Sequence, residues 1–217
     1  IPSIYSLFVI GAVLTCILTP FVRFLALQRG FVDCPQRARK VHQQATPRLG
    51  GAAVLLSFIV VVSIASITVP QLNKIFIGDN AVIGTIVLGS IGIFVIGFLD
   101  DLSRLSPRTK LLGEFLIAGL VVWGANLNFT SVQFLGLGSI SFPEWLGFAL
   151  SCLWIVGMAN AINLIDGLDG LASGITLAGL IAVAVVGYLA GITSVTWLST
   201  LLIGCLLGFL VYNSRPA

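Results

Sequence analysis

Residues 158–174 read MANAINLIDGLDGLASG. The stretch closes a run of 21 uncharged, mostly apolar residues (145–165) and opens another of 45 (170–214). Between the runs stand two aspartates, Asp166 and Asp169, each followed by glycine. A helix needs about 20 apolar residues to cross the hydrocarbon core of a bilayer. The reading is therefore helix, short acidic turn, helix, with the carboxylates held at a membrane edge.

The rest of the chain repeats that pattern. It has 217 residues, of which 58 % are hydrophobic and 9 % charged, whereas soluble domains carry roughly 25 % charged residues. Charge-poor runs predict seven helices, over about 4–27, 49–69, 81–99, 111–127, 145–165, 171–190 and 195–213. Helices are expected because lipid offers backbone amides no partner. The fold class is thus all-α and polytopic, forming a single transmembrane domain over 1–217. The first run is too long for a signal peptide and lacks its basic front and cleavage site. Four scattered cysteines without a CxxC pair predict neither a disulfide framework nor a zinc site. Residue 1 already lies in an apolar run, no initiator methionine is present and the end NSRPA is abrupt. The chain is expected to be a fragment of a longer protein.

Basic residues set the orientation. Arg23, Arg29, Arg37, Arg39, Lys40, Arg48, Arg104, Arg108, Lys110 and Arg215 fall on one side, and only Lys74 on the other. The positive-inside rule then puts the N-terminus outside and the first, third and fifth loops in the cytoplasm. The segment 128–144, on the outer side, has strand-like stretches around GLG and is read as a small hairpin.

The three cytoplasmic loops carry the chemistry. The first, VDCPQRARKVHQQATPRLGG (32–51), sets cations on a proline-stiffened loop, a pattern that can bind phosphates. The plain alternative is a topogenic signal touching anionic lipid headgroups. The second, GFLDDLSRLSPRTKLLGE (97–114), puts Asp100 and Asp101 at the end of an apolar helix. Acidic groups there oppose the helix dipole, so a simple stop signal would more naturally be basic. Adjacent carboxylates repel unless a cation is near. Hard oxygen ligands suit Mg²⁺ or Mn²⁺, commonly one or two carboxylates plus substrate phosphates. One Asp could instead act as a base or nucleophile. Arg104, Arg108 and Lys110 could neutralise the pair or bind phosphate. In the third loop, Asn160, Asn163, Asp166 and Asp169 recur every three residues. Asp169 could simply cap the following helix. That leaves Asn160 and Asn163 unexplained, and polar side chains so deep in an apolar span normally face a cavity or partner.

The motifs taken together, RKVH with TPRLGG, then FLDDL with SPRTKLLGE, then NAINLIDGLDGLA, resemble the polyprenyl-phosphate N-acetylhexosamine-1-phosphate transferases, glycosyltransferase family 4. The resemblance covers nearly the whole chain. It implies a UDP-linked amino sugar, UDP-GlcNAc, as donor and a membrane polyprenyl phosphate, undecaprenyl phosphate, as acceptor. UMP is released and Mg²⁺ (or Mn²⁺) is required. Asp100 and Asp101 match the family's adjacent catalytic aspartates. Asn163, Asp166 and Asp169 match its nucleotide-side residues, and Lys40, His42 and Thr46 its first-loop substrate region, with Lys110 as a further substrate contact. Asp100, Asp101 and Asp166 are the implied metal ligands. The family's next acidic segment, of the form FMGDxGS, follows the seventh helix in a chain of about ten or eleven helices. The principal metal-binding Asp is therefore expected beyond residue 217, and the fragment alone is expected to be inactive. The implied setting is a bacterial-type plasma membrane with the active face cytoplasmic. No nucleic-acid partner is expected, and a homodimer is compatible. The first loop favours the GlcNAc branch over the phospho-MurNAc-pentapeptide transferases, which stand as the alternative. A transporter is the rival from another class, but its path would need polar groups through the bilayer midplane, and these cluster at one edge.

Overall fold

A computed structural model describes residues 4–33, 46–47, 49–68, 82–103, 105–134 and 138–214. Among these described residues are seven long helices: α1 (Ile4–Arg29), α2 (Gly50–Thr68), α3 (Val82–Ser103), α4 (Pro107–Ala125), α5 (Glu144–Ile165), α6 (Leu171–Leu189) and α7 (Thr193–Asn213). They lie where the apolar runs predict them, and the chain is an all-α polytopic membrane protein. Six of them are long and apolar enough to cross a membrane. The exception among the described helices is α4, which carries Arg108, Lys110 and Glu114 near its start.

Two boundaries differ from the sequence reading by four residues, both for local reasons. Helix α3 runs on to Ser103, so Asp100 and Asp101 lie inside its last turns rather than beyond its end. The Ser103 hydroxyl donates back to the Leu99 carbonyl at 2.6 Å. Helix α4 starts at Pro107 rather than 111, because Ser106 caps it and accepts from the Thr109 amide at 3.2 Å. Proline suits the first helical position, where its missing N–H would have had no partner. Lys110 is therefore a helical residue. The helix closes on Asn126, in the left-handed conformation.

The helices pack as two compact units, Ile1–Asn73 with Leu164–Ala217, and Lys74–Asn163. In the first, α1 lies directly on α7. A Cβ on Gly204 would collide with the Phe8 carbonyl, and one on Gly208 with the Ala12 carbonyl. Small residues at such spacing let two backbones approach in lipid, where the hydrophobic effect drives no helix association. Gly11 sits under Leu201 and Cys205, and Gly50 under Phe209. A hydrogen bond from Asn213 Nδ2 to Ser173 Oγ, 3.1 Å, ties α7 to α6. A short antiparallel pair, β1 (Val32–Asp33) with β2 (Thr46–Pro47), lies in the same unit.

In the second unit, α3 and α4 meet through Gly89 under Val121 and Gly92 under Ile117. Helices α4 and α5 share a core of Ala118, Val122, Cys152 and Val156, with Phe148 and Ile155 against it. The hairpin read from the sequence is present as β3 (Ser131–Phe134) and β4 (Gly138–Ser141), pairing Ser131 with Ser141 and Phe134 with Gly138. It is anchored on α5, where the Phe129 amide donates to Ser151 Oγ at 2.9 Å and the Phe129 ring meets Trp154 edge-on. Outside these contacts, large apolar side chains such as Leu120, Trp123 and Leu153 are exposed. Facing lipid, such surfaces carry no solvation cost. Within the helices, hydroxyls donate to their own carbonyls one turn back, as Ser57 does to Ala53 and Thr19 to Thr15.

Candidate functional site

The second unit brings Asp100, Lys110, Glu114, Asn160 and Asn163 together at one end. Asp100 comes from the last turns of α3, Lys110 and Glu114 from the first two turns of α4, and Asn160 and Asn163 from the last two turns of α5. Lys110 Nζ donates to Asp100 Oδ2 at 2.9 Å and to Asn163 Oδ1 at 3.4 Å. One ammonium therefore joins three helices. Both members of the ion pair are largely sheltered, with Lys110 16 % and Asp100 28 % exposed. Of the three cations that the sequence offers for neutralising the aspartate pair, Lys110 reaches Asp100, and Arg104 lies outside the described residues. Asp101 is exposed at the helix end.

One turn further along α4, the Glu114 carboxylate is buried, 4 % exposed. It accepts a hydrogen bond from Asn160 Nδ2, which also donates to the Val156 carbonyl at 3.0 Å. Glu114 stands outside the candidate set drawn from the sequence. Its spacing of four from Lys110 was the available signal, since residues at i and i+4 share a helix face.

Asp166 and Asp169 lie in the turn 166–170 between α5 and α6, both exposed. The turn closes through Gly167 N to Ile165 O at 2.7 Å and Leu171 N to Leu168 O at 3.1 Å. The alternative reading of Asp169 as the cap of the next helix is not met. The N-cap is Gly170, with φ of +74°, a conformation that costs glycine nothing and other residues appreciably. Partial desolvation by the surrounding chain raises the Asp166 pKa from its ordinary value although the residue is exposed, and the Asp169 charge adds to it.

Lys40 and His42 lie outside the described residues. Thr46 is placed only as backbone in β2, opposite Asp33. Among the described residues no three His, Cys, Asp or Glu side chains cluster to hold a metal ion. The adjacent carboxylates of Asp100 and Asp101 nonetheless fit Mg²⁺ by donor chemistry, because that ion is commonly held by one or two carboxylates with substrate phosphates and water completing the shell.

Six helices long and apolar enough to cross a membrane, and a sheltered ion pair with amide partners at the ends of three helices of the second unit, define a polytopic membrane protein with polar side chains gathered at helix ends. A family model described as glycosyl transferase family 4 matches residues 83–217, and the chain belongs to that family. The probable undecaprenyl-phosphate N-acetylglucosaminyl 1-phosphate transferase of Bacillus subtilis (strain 168) is 38 % identical over 216 residues, covering 97 % of this chain and 55 % of the relative. The phospho-N-acetylmuramoyl-pentapeptide-transferase of Halalkalibacterium halodurans is 32 % identical over 222 residues, covering 97 % and 65 %. The decaprenyl-phosphate N-acetylglucosaminephosphotransferase of Mycolicibacterium smegmatis is 34 % identical over 216 residues, covering 95 % and 52 %. The chain thus spans about half to two thirds of the length of these relatives.

Proposed function

We propose that the full-length protein transfers N-acetylglucosamine 1-phosphate from UDP-GlcNAc to a polyprenyl phosphate, undecaprenyl phosphate in the first instance, and releases UMP. The reading is supported by family membership and by the names of the relatives. Within the chain, the observation that carries it is Lys110 bridging Asp100 and Asn163 at the end of three helices. Phosphoryl transfer depends mainly on alignment and on neutralising charge over the phosphates. A lipid phosphate oxygen attacks the phosphorus that bears the sugar, the bond to the bridging oxygen breaks, and that oxygen leaves with UMP.

In this scheme Asp100 and Asp101 accept the lipid-phosphate proton or hold Mg²⁺, while Lys110 offsets negative charge on the phosphates. Mg²⁺, when bound, supplies further charge neutralisation. Asn163, Asp166 and Asp169 are assigned to the nucleotide side on the sequence pattern, and Lys40, His42 and Thr46 to substrate binding on the first-loop pattern. The charge distribution supports a cytoplasmic active face in a bacterial-type plasma membrane.

The test is UMP release by the full-length protein with undecaprenyl phosphate and Mg²⁺, offering UDP-GlcNAc and UDP-MurNAc-pentapeptide in parallel. Turnover with the first alone supports the reading. Turnover with the second alone moves the protein to the phospho-MurNAc-pentapeptide branch. The RKVH and PRLGG segments of the first loop favour the former.

A further inference from the structure

Glu114 has no part in the chemistry proposed above, yet it is a buried carboxylate in an apolar helical unit. Isolating such a group from water is costly unless it is hydrogen-bonded. Its partner is the side-chain amide of Asn160, 46 residues away on α5. That amide nitrogen has two hydrogens, and both are used, one on Glu114 Oε2 and one on the Val156 carbonyl. Two acceptors on one side of the amide settle which end is nitrogen, so Asn160 is held with its oxygen turned the other way.

The spacing makes the same contact a register device. Lys110 and Glu114 are four apart on α4, and Asn160 and Asn163 are three apart on α5, so each pair spans about one helical turn. The Glu114–Asn160 bond and the Lys110–Asn163 bond are successive rungs between two helices. Sliding or rotating α5 enough to break the deeper rung would also move Asn163 off Lys110, and Lys110 is the group that holds Asp100. The apolar core below, Ala118 and Val122 against Cys152 and Val156, is made of small and medium side chains, which fix distance better than rotation. A polar rung in lipid fixes rotation as well, because the alternative is a buried carboxylate without its amide.

We propose that Glu114 is a positioning residue: through Asn160 it sets the register of α5 on α4 and so presents Asn163 and Lys110 in the geometry that the transfer uses. Its catalytic consequence rests on the proposed function, whereas its structural part does not. The ionic charge is dispensable in this role, because a glutamine oxygen accepts the same hydrogen bond.

The test uses full-length protein in lipid nanodiscs, with wild type, Glu114→Gln and Glu114→Leu compared in two ways. Turnover of UDP-GlcNAc is measured as separate kcat and KM. Register is measured without substrate, by bridging a Lys110→Cys/Asn163→Cys pair with a short bifunctional thiol reagent, in a background whose native cysteines are replaced. Expected is a loss of kcat on the order of 10²-fold for Glu114→Leu, as for other small displacements of reacting groups, with KM little changed. Cross-linking falls in parallel, and Glu114→Gln restores both. Unchanged cross-linking in the Glu114→Leu background overturns the proposal, and so does a glutamine variant as impaired as the leucine one. If cross-linking follows the expected pattern while even wild type shows no turnover with either UDP-sugar, the register device stands and the proposed function falls.

Discussion

The Lys110 ammonium lies 2.9 Å from the Asp100 carboxylate, across the short turn that joins α3 to α4. Two acidic residues at the C-terminal end of a helix face the negative end of its dipole. Lys110, itself in the first turn of the next helix, offsets that for Asp100. The pair is sheltered enough that loss of the lysine leaves a partly desolvated carboxylate without this partner.

Lys110→Met should therefore lower both activity and stability. Turnover of the full-length enzyme is expected to fall by about 10²-fold or more, the usual scale for removing a charge-stabilising group. Stability should fall by about 1–3 kcal/mol, the cost of stripping a partner from a sheltered charged group. Lys110→Arg keeps the charge and should recover most of the stability but little of the turnover, because a planar fork does not reproduce a point-charge ammonium. UMP release and denaturation in mixed micelles read the two effects separately.

Asp100→Asn and Asp101→Asn should each abolish most turnover. The Mg²⁺ dependence distinguishes their roles. A residue that holds the ion shifts the half-maximal Mg²⁺ concentration upward in its variant, whereas a base lowers the maximal rate at saturating Mg²⁺. Near-full rates in both variants would remove these residues from the reaction.

The helices were legible because lipid imposes a simple demand, about 20 apolar residues in a row, and because Gly167 and Gly170 interrupt the run at Asp166. The start of α4 was written in the chain as Ser106-Pro107, a cap followed by a residue suited to the first helical position, but the apolar run alone put it at 111. Facing was not legible. Glu114 and Asn160 are 46 residues apart, and apolar helices with exposed leucines on several sides have no amphipathic stripe to show which face meets a neighbour. The alternative of Asp169 as a cap fails for a different reason. Aspartate is a good cap by type, but the left-handed turn the chain takes before α6 selects glycine at the cap position.

The acid limb of activity should report on Asp166. Partial desolvation and the neighbouring Asp169 raise its pKa, so protonation begins at higher pH than for an ordinary aspartate. If the ionised form is needed, activity falls as pH drops through that raised value. Asp169→Asn removes one of the two causes and should move the acid limb to lower pH, whatever it does to the maximal rate. For stability the sign is opposite. A carboxyl whose folded pKa is raised favours the folded state below its unfolded pKa, and that contribution is lost as pH rises through the folded value. Asp166→Asn should therefore be more stable than wild type at neutral pH, with the difference vanishing in acid. A pH–rate profile for the Asp169 variant that overlays wild type would contradict the assigned coupling.

The contact between α1 and α7 should tolerate no added methyl group. The Cβ atoms of alanines at 204 and 208 would meet the carbonyl oxygens of Phe8 and Ala12. Those are backbone atoms, which cannot rotate away as a side chain would, so the helices must separate. Gly204→Ala and Gly208→Ala should each destabilise the protein by about 1–3 kcal/mol, the usual cost of overpacking. Gly174→Ala and Gly179→Ala on α6, where a Cβ meets nothing within 4 Å, provide the comparison. They remove a flexible residue from a helix interior and should be neutral or slightly stabilising. Thermal unfolding in detergent, followed by loss of soluble monodisperse protein, measures all four. If the α7 variants match the α6 ones, the close backbone approach does not hold this pair of helices together, and the side chains of Leu201 and Cys205 packed over Gly11 carry the contact instead.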